Sequence, residues 1–418
     1  MSGAADAATL RRNVFFNTAG NLIYFGCQWL ATGFLIKALS FGDAGLTNTG
    51  LLQTAMAVTN VFLTLASYGM RTYQVSDVNE KYSSSIYITS RLVTVGASVL
   101  LCAAYTMAVG YSREQAACIF IYLVYKLLEA LTDVFHGCCQ KSERMDIIGI
   151  SYAVRGCLSV AVFAFVLWLS QNVALTLAAM TAVCCVFCLF YDIIGTRNFF
   201  APFRIADAKS VGQLLLECMP LALYVFFVTS AASVPKIMLE RIMGTEIAGI
   251  YGLVNSPVMI LQVGVAFMFT PFITMFAKKY RDCDRKGFLR LAALVTLGVL
   301  ALGVLALGGV AILGEWGLGF LYGAEITAYR SLLTPMVLCS VLTSLVLFYC
   351  MLLTVERCMK GLIFGNLLGL VISALLSAPM INSHSLFGAS YATLASLVCQ
   401  CAALMLFGLQ ALRKPPKG

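Results

Sequence analysis

The sequence predicts an all-α integral membrane protein of about 12 transmembrane helices in two six-helix lobes, with both termini cytoplasmic. Three observations carry this. Of 418 residues, 60% are hydrophobic and 11% charged, with a mean hydropathy of +0.89, whereas soluble chains devote about a quarter of their residues to charge. The apolar runs exceed the roughly 20 residues that cross a bilayer, and they lack the polar–apolar alternation of barrel strands. The basic residues fall in short clusters between these runs, as orientation signals do. Together these exclude a soluble enzyme on a single anchor, and the absence of one continuous basic stripe argues against a nucleic-acid partner.

Apolar windows bounded by charge, Gly and Pro place spans near 14–38, 45–69, 87–110, 115–138, 146–170 and 173–195. Six more are expected near 212–236, 247–274, 288–313, 329–353, 362–380 and 387–412. The longest inner connector, 196–211, divides the chain into an N-lobe over 1–200, a connector over 201–211 and a C-lobe over 212–418. Ala44-Gly45 before the second span is echoed by Ala248-Gly249 before the eighth, which hints at paired halves. With the amino terminus inside, the inner segments hold 20 of the 28 Lys and Arg residues, including the cluster Lys278, Lys279, Arg281, Arg285, Lys286, Arg290 and the terminal Arg413, Lys414 and Lys417. The outer margins hold five: Lys37, Arg113, Lys236, Arg241 and Arg330. That skew sets the orientation. Arg11-Arg12 before an apolar run looks like a signal peptide, but the run is too long and lacks a small-residue cleavage site, so it is expected to remain as the first span. The largest outer connector expected is 314–328, which leaves little room for chemistry outside the membrane.

Charges within the spans are the functional candidates, because burying one in hydrocarbon costs a few kcal/mol or more. The fourth span carries Lys126, Glu129, Asp133, His136 and Gln140. At about 100° per residue these lie within about 80° of arc, one polar stripe. Lys126 sits about 16 Å into the span. Lys126 and Glu129 are spaced to neutralise each other, while a stripe this long also suits the wall of a water-lined cavity. Arg155 in the fifth span has no acid on its own helix and must face a neighbour such as Glu129, a cavity or an anion, for which guanidinium is suited. Asn17 and Asn21 share a face with Gln28 on the first span, as Asn60 does with Gln53 on the second; such amides serve helix packing or line a path. Arg71 and Arg91 flank the inner ends of the second and third spans, positions from which they can snorkel to lipid headgroups.

Several chemistries are missing. No phosphate-binding G-x-x-x-x-G-K-[ST] loop occurs, and the glycines of 314–323 lack the strand and helix of a nucleotide site. His136 and His384 are expected at opposite membrane faces, so no serine–histidine–acid set is identifiable, and neither a catalytic nor a metal site is expected. Most of the sixteen cysteines fall inside apolar runs, where Cys acts as a small hydrophobe.

Certain segments resemble a known family: 12–24 (RNVFFNTAGNLIY), 68–77 (YGMRTYQVSD), 125–134 (YKLLEALTDV), 141–146 (KSERMD), and in the second half 235–241 (PKIMLER) with 249–252 (GIYG). The chain resembles the bacterial polysaccharide flippases of the multidrug/oligosaccharidyl-lipid/polysaccharide exporter superfamily. The resemblance implies that superfamily's fold, two six-helix lobes opening alternately to either side around a cationic cavity. It implies a membrane transporter, not an enzyme, that flips an undecaprenyl-pyrophosphate-linked oligosaccharide to the outer leaflet for surface polysaccharide assembly. Its partners would be that lipid-linked oligosaccharide, membrane lipids and the polymerase machinery. No cofactor is implied beyond coupling to an ion gradient or membrane potential. On this reading Lys126, Arg155, Arg91, Arg71, Asn17, Asn21 and Asn60 contact substrate, and Glu129 and Asp133 tune or couple the movement. The alternatives are a multidrug exporter of the same superfamily, whose organic-cation substrates favour an acidic cavity, and a glycan polymerase, ligase or acyltransferase, which would want a larger outer loop.

Overall fold

The computed structural model describes residues 2–40, 44–77, 80–200 and 202–412, with the side chains of all but 2–11, 44, 261, 263–271 and 273–274. Arg413, Lys414 and Lys417 lie outside the described residues, as does the side chain of Arg11. Among the described residues there is no strand. The helices are α1 (Ser2–Trp29, continued by a π-helical segment Leu30–Leu35), α2 (Ala44–Ser67), α3 (Met70–Ser76), α4 (Ser84–Val109), α5 (Arg113–Lys141), α6 (Met145–Ser170) and α7 (Val173–Phe187, continued by a π-helical segment Cys188–Ile194). They are followed by α8 (Ala208–Met243), α9 (Thr245–Arg281), α10 (Arg285–Tyr322), α11 (Leu333–Val355), α12 (Met359–His384) and α13 (Leu386–Leu412). Among the described residues, nine rods are long and apolar enough to cross a membrane. The segments beginning with α1, α5 and α9 are not among those nine.

Local chemistry sets the ends. Ser112 caps α5 reciprocally: its hydroxyl accepts from the Gln115 N–H (3.2 Å), and the Gln115 side chain accepts from the Ser112 N–H (3.0 Å). Asn172 caps α7 through the Leu175 N–H (3.0 Å), and Asp284 caps α10 through the Gly287 N–H (2.8 Å). Between α2 and α3 the chain turns through left-handed Tyr68 (φ 52) and Gly69 (φ 61), which re-aims α3. The expected outer connector 314–328 is a different matter. α10 continues through it to Tyr322, with Trp316 and Phe320 stacked one turn apart at 5.5 Å. Apolar residues at helical spacing outweigh its glycines, so this expectation is corrected: the segment is mostly helix.

The chain divides into two compact units, residues 1–226 and 227–418. The change falls within α8, some residues beyond the expected connector 201–211. In the first unit α1 packs on α6, α2 on α4 and α5, and α7 on α5 and α6; in the second, α11 packs on α9, α10 and α13, and α12 on α13. The α1–α6 contact is a backbone approach. A Cβ on Gly20 would meet the Gly149 carbonyl oxygen at 2.2 Å, and one on Gly149 the Phe16 carbonyl oxygen at 2.1 Å, so only glycine lets these helices close.

Candidate functional site

The polar stripe of α5 turns inward within the first unit, and each of its members meets a partner. Lys126 Nζ donates to both oxygens of Glu129, at 2.9 and 3.1 Å. It also lies over the rings of Tyr122 and Tyr125, at 5.6 and 5.3 Å from their centroids, where an ammonium is further stabilised. The Tyr24 hydroxyl of α1 donates to Glu129 and lies 3.3 Å from the Tyr125 hydroxyl, which accepts from Gln28 Nε2 at 2.7 Å. The intrahelical pairing of Lys126 with Glu129 is therefore formed, and Lys126 is not a bare cation.

Arg155 differs. Its side chain is 1% exposed, and Nη1 donates to Thr132 Oγ1 (3.1 Å) and approaches the Cys188 sulfur (3.8 Å). The guanidinium lies against the rings of Tyr24 and Tyr152, 5.3 and 5.2 Å from their centroids, and the two rings themselves sit side by side at 5.6 Å. Nε has no hydrogen-bond partner. No carboxylate hydrogen-bonds this guanidinium among the described residues; its charge is held by aromatic faces and a hydroxyl.

One turn towards the carboxyl end of α5, Asp133 gathers two arginines. Arg71 Nη1 donates to Oδ1 at 2.7 Å, and Arg91 Nη2 to Oδ2 at 3.3 Å. Arg71 also donates to Gln140 Oε1 (3.1 Å), and Arg91, fully buried, donates to the Ala66 carbonyl (2.7 Å). Arg71 and Arg91 are thus inside the unit, not at lipid headgroups. The reason is electrostatic: a half-buried carboxylate facing α3 and α4 offers a better partner than a distant headgroup. His136 Nε2 lies 2.9 Å from Asp192 Oδ1, both residues fully buried. Three cations, Arg71, Arg91 and Lys126, thus meet two carboxylates, Asp133 and Glu129, while Asp192 pairs with His136 and Arg155 bonds no carboxylate among the described residues. The accessible edge belongs to the pairs, with side-chain exposures of 12% and 19% for Lys126 and Glu129, and 23% and 22% for Arg71 and Asp133.

The amides lie apart. Asn21 Nδ2 donates to the Asn17 carbonyl (2.7 Å) and side chain (3.2 Å), so these two bond along α1. Asn60 is half-buried on α2, outside the charge network. Residues that the sequence reading passed over supply much of the site: Tyr24, Tyr125, Tyr152, Thr132 and Asp192. The available signal for Tyr24 was its place one turn before Gln28. For Asp192 it was being the lone acid in an otherwise apolar span.

A model of the family described as polysaccharide biosynthesis protein matches residues 10–278. The chain is 22% identical over 323 residues to the capsular polysaccharide biosynthesis protein CapF of Staphylococcus aureus, covering 75% of this chain and 78% of that protein. Among solved structures it is similar to an inward-facing multidrug resistance MATE transporter of the MOP superfamily, with a TM-score of 0.69 and 10% identity over 94% of this chain and 93% of that one. It is also similar to a MOP superfamily transporter from Pyrococcus furiosus whose reverse-polarity binding pocket suggests a different function, with a TM-score of 0.62 and 13% identity over 97% and 96% of the two chains. These structural likenesses establish the fold: the helices form a multi-pass membrane protein of the MOP type.

Proposed function

Because the chain belongs to the polysaccharide biosynthesis protein family and is a membrane transporter by fold, we propose that it flips an undecaprenyl-pyrophosphate-linked oligosaccharide from the inner to the outer leaflet by alternating access. Twelve crossings with both termini cytoplasmic belong to this reading. A sugar-pyrophosphate head cannot cross hydrocarbon unaided, since its charges and hydroxyls would be buried without partners. The lipid tail can stay in the bilayer throughout.

The observation that carries the reading is the excess of cations over carboxylates within the first unit. In particular, Arg155 holds a full positive charge against two rings and the Thr132 hydroxyl. A guanidinium so placed gains more from a phosphate than from its present partners. Lys126 and Arg71, with their partly accessible carboxylate partners, can exchange those partners for substrate oxygens, which gives Glu129 and Asp133 the part of counter-ions released during movement. An organic-cation exporter would have no use for this sign of charge.

The test is translocation of a labelled lipid-linked oligosaccharide in proteoliposomes, with and without an ion gradient or membrane potential. Arg155→Ala and Lys126→Ala are expected to remain in the membrane, to stop translocation and, in cells, to leave lipid-linked precursor accumulating inside. Normal export by both variants would refute the site. Movement of organic cations in place of the saccharide would favour the exporter, and glycan polymerisation without movement would favour an enzyme.

A further inference from the structure

Where α9 ends and α10 begins, the charge of the second unit gathers at one edge of its apolar rods. Residues 278–290 hold six basic side chains and two acids, Asp282 and Asp284. Both acids are engaged locally. Arg281 Nε lies 3.4 Å from Asp282 Oδ1. One oxygen of Asp284 accepts from Lys279 Nζ at 3.0 Å and the other from the Gly287 N–H at 2.8 Å. Gly287 makes that arrangement possible, because a Cβ there would meet both the Asp284 carboxylate and Lys279 Nζ. Lys286 and Arg290, both exposed, form no ion pair among the described residues.

These two cations continue into an apolar stripe. Lys286, Arg290, Leu294 and Leu297 fall within about 80° of arc at about 100° per residue, one face of α10. The first three line a cleft of about 430 Å³ together with the Lys279–Asp284 pair and Gly287. From Lys286 to Leu294 the cleft runs about 12 Å along the helix axis, at 1.5 Å per residue, charged at one end and apolar at the other. Leu294 and Leu297 are each 64% exposed. In a membrane protein leucines so open face hydrocarbon, so the cleft gives onto the surrounding bilayer and not onto a water-lined path.

We propose that this cleft binds an anionic phospholipid of the bordering leaflet, its phosphate held by Lys286 and Arg290 and the start of an acyl chain laid along Leu294 and Leu297. In the orientation proposed above, that leaflet is the inner one. The charge decides the occupant. Cations at the edge of hydrocarbon attract anionic headgroups, each Lys or Arg contributing about fivefold in binding. Guanidinium adds two-point hydrogen bonding to phosphate, and the lysine adds a point charge beside it. A soluble anion would match the charged end and leave the leucines without a partner. The inference rests on the membrane fold alone, not on the flippase reading.

The experiment uses the full chain in detergent micelles, titrated with phosphatidylglycerol or with phosphatidylcholine of the same acyl chains, and read by native mass spectrometry. The wild type is expected to retain phosphatidylglycerol in preference. Lys286→Gln with Arg290→Gln should weaken that binding about tenfold or more. Exchanging the cations, Lys286→Arg with Arg290→Lys, should keep it within about threefold. Lys278→Gln with Arg281→Gln removes the same charge from outside the cleft and should change binding by about twofold or less, since exposed charges at a distance are screened. Equal losses from the two glutamine pairs would reveal a diffuse basic surface in place of a site, and wild-type binding by the Lys286 and Arg290 pair would overturn the proposal outright. Displacement of the lipid by inorganic phosphate would overturn it in favour of a free anion. Loss of a soluble polyglutamate peptide with phosphatidylglycerol retained would overturn it in favour of a protein partner. Arg290→Gln alone, expected to lose about fivefold, repeats the measurement if the double variant fails to fold.

Discussion

Asp133→Asn removes one negative charge from between two arginines. At an effective dielectric constant near 20, an ion pair at the 3.3 Å of Arg91 to Asp133 has a gross attraction of about 5 kcal/mol. Much of it offsets the desolvation of a guanidinium that is fully buried. The variant leaves the Ala66 carbonyl to Arg91, the Gln140 side chain to Arg71 and one uncharged amide oxygen between them, so that two like charges face each other without a counter-ion. Removing one partner of a buried pair typically costs about 3–5 kcal/mol, and the lower end of that range applies because Arg71 and Asp133 keep 23% and 22% of their side chains exposed. Thermal unfolding of the detergent-solubilised protein, followed by size-exclusion chromatography, measures the loss. A second substitution isolates the electrostatic part: Arg91→Met in the Asp133→Asn background should recover about 2 kcal/mol or more, because it removes the stranded charge. An Asp133→Asn variant that melts with the wild type, or a double variant no better than the single one, would refute the view that Asp133 serves as counter-ion to both arginines.

Three further outcomes are expected. Gly149→Ala pushes α1 from α6, since its Cβ would meet the Phe16 carbonyl oxygen at 2.1 Å; it should cost about 1–3 kcal/mol or more, and unchanged thermal unfolding would contradict the close approach. His136→Ala strands the fully buried carboxylate of Asp192 and should cost about 3 kcal/mol, whereas Asp192→Asn, whose amide oxygen still accepts, should cost less; unfolding that ranks the two in reverse order would count against the pair. At the turn before α4, burial alone would raise the carboxyl of Asp77, but the N–H groups of Lys81 (3.0 Å) and Tyr82 (3.1 Å) and the Tyr87 hydroxyl (3.0 Å) hold it below the usual carboxylate range. A carboxylate favoured in the folded state adds stability above its unfolded value, near 3.9, and loses it as pH falls through the lower folded value. Hydrogen exchange at residues 81–82 should therefore be faster in Asp77→Asn than in wild type at pH 7, with the difference closing as pH falls through the lowered folded value, and equal exchange at pH 7 would remove the cap.

The helical rods were legible because long apolar runs have one solution in lipid, a helix that satisfies its own backbone. Their ends were less so. α8 and α10 extend well past the expected span limits, since a helix does not stop where hydrocarbon stops. It stops at a cap or a left-handed turn, such as Asp284 or Gly323 (φ 87). The inward face of α5 was legible for the same reason: a 3.6-residue period fixes which side chains share a face, and the structure turns that face inwards.

What that period cannot state is which neighbouring helix brings the counter-ion. Lys126 and Glu129 lie on one helix three residues apart, and their pairing could be read from spacing alone. Arg71 and Arg91 reach Asp133 from two other helices, one of them re-aimed by the left-handed turn at Tyr68 and Gly69, and no single-helix pattern encodes that meeting. The same argument reverses the standing of two lysines. Spacing made Lys126 the central cation, and tertiary packing surrounds it with Glu129 and aromatic rings. Lys236 was assigned to an outer margin by charge counting, yet it is half-buried on α8 and forms no ion pair among the described residues. Charge in a membrane protein is thus read from sequence as an inventory, while whether a given cation is available to a ligand depends on the helices packed against it.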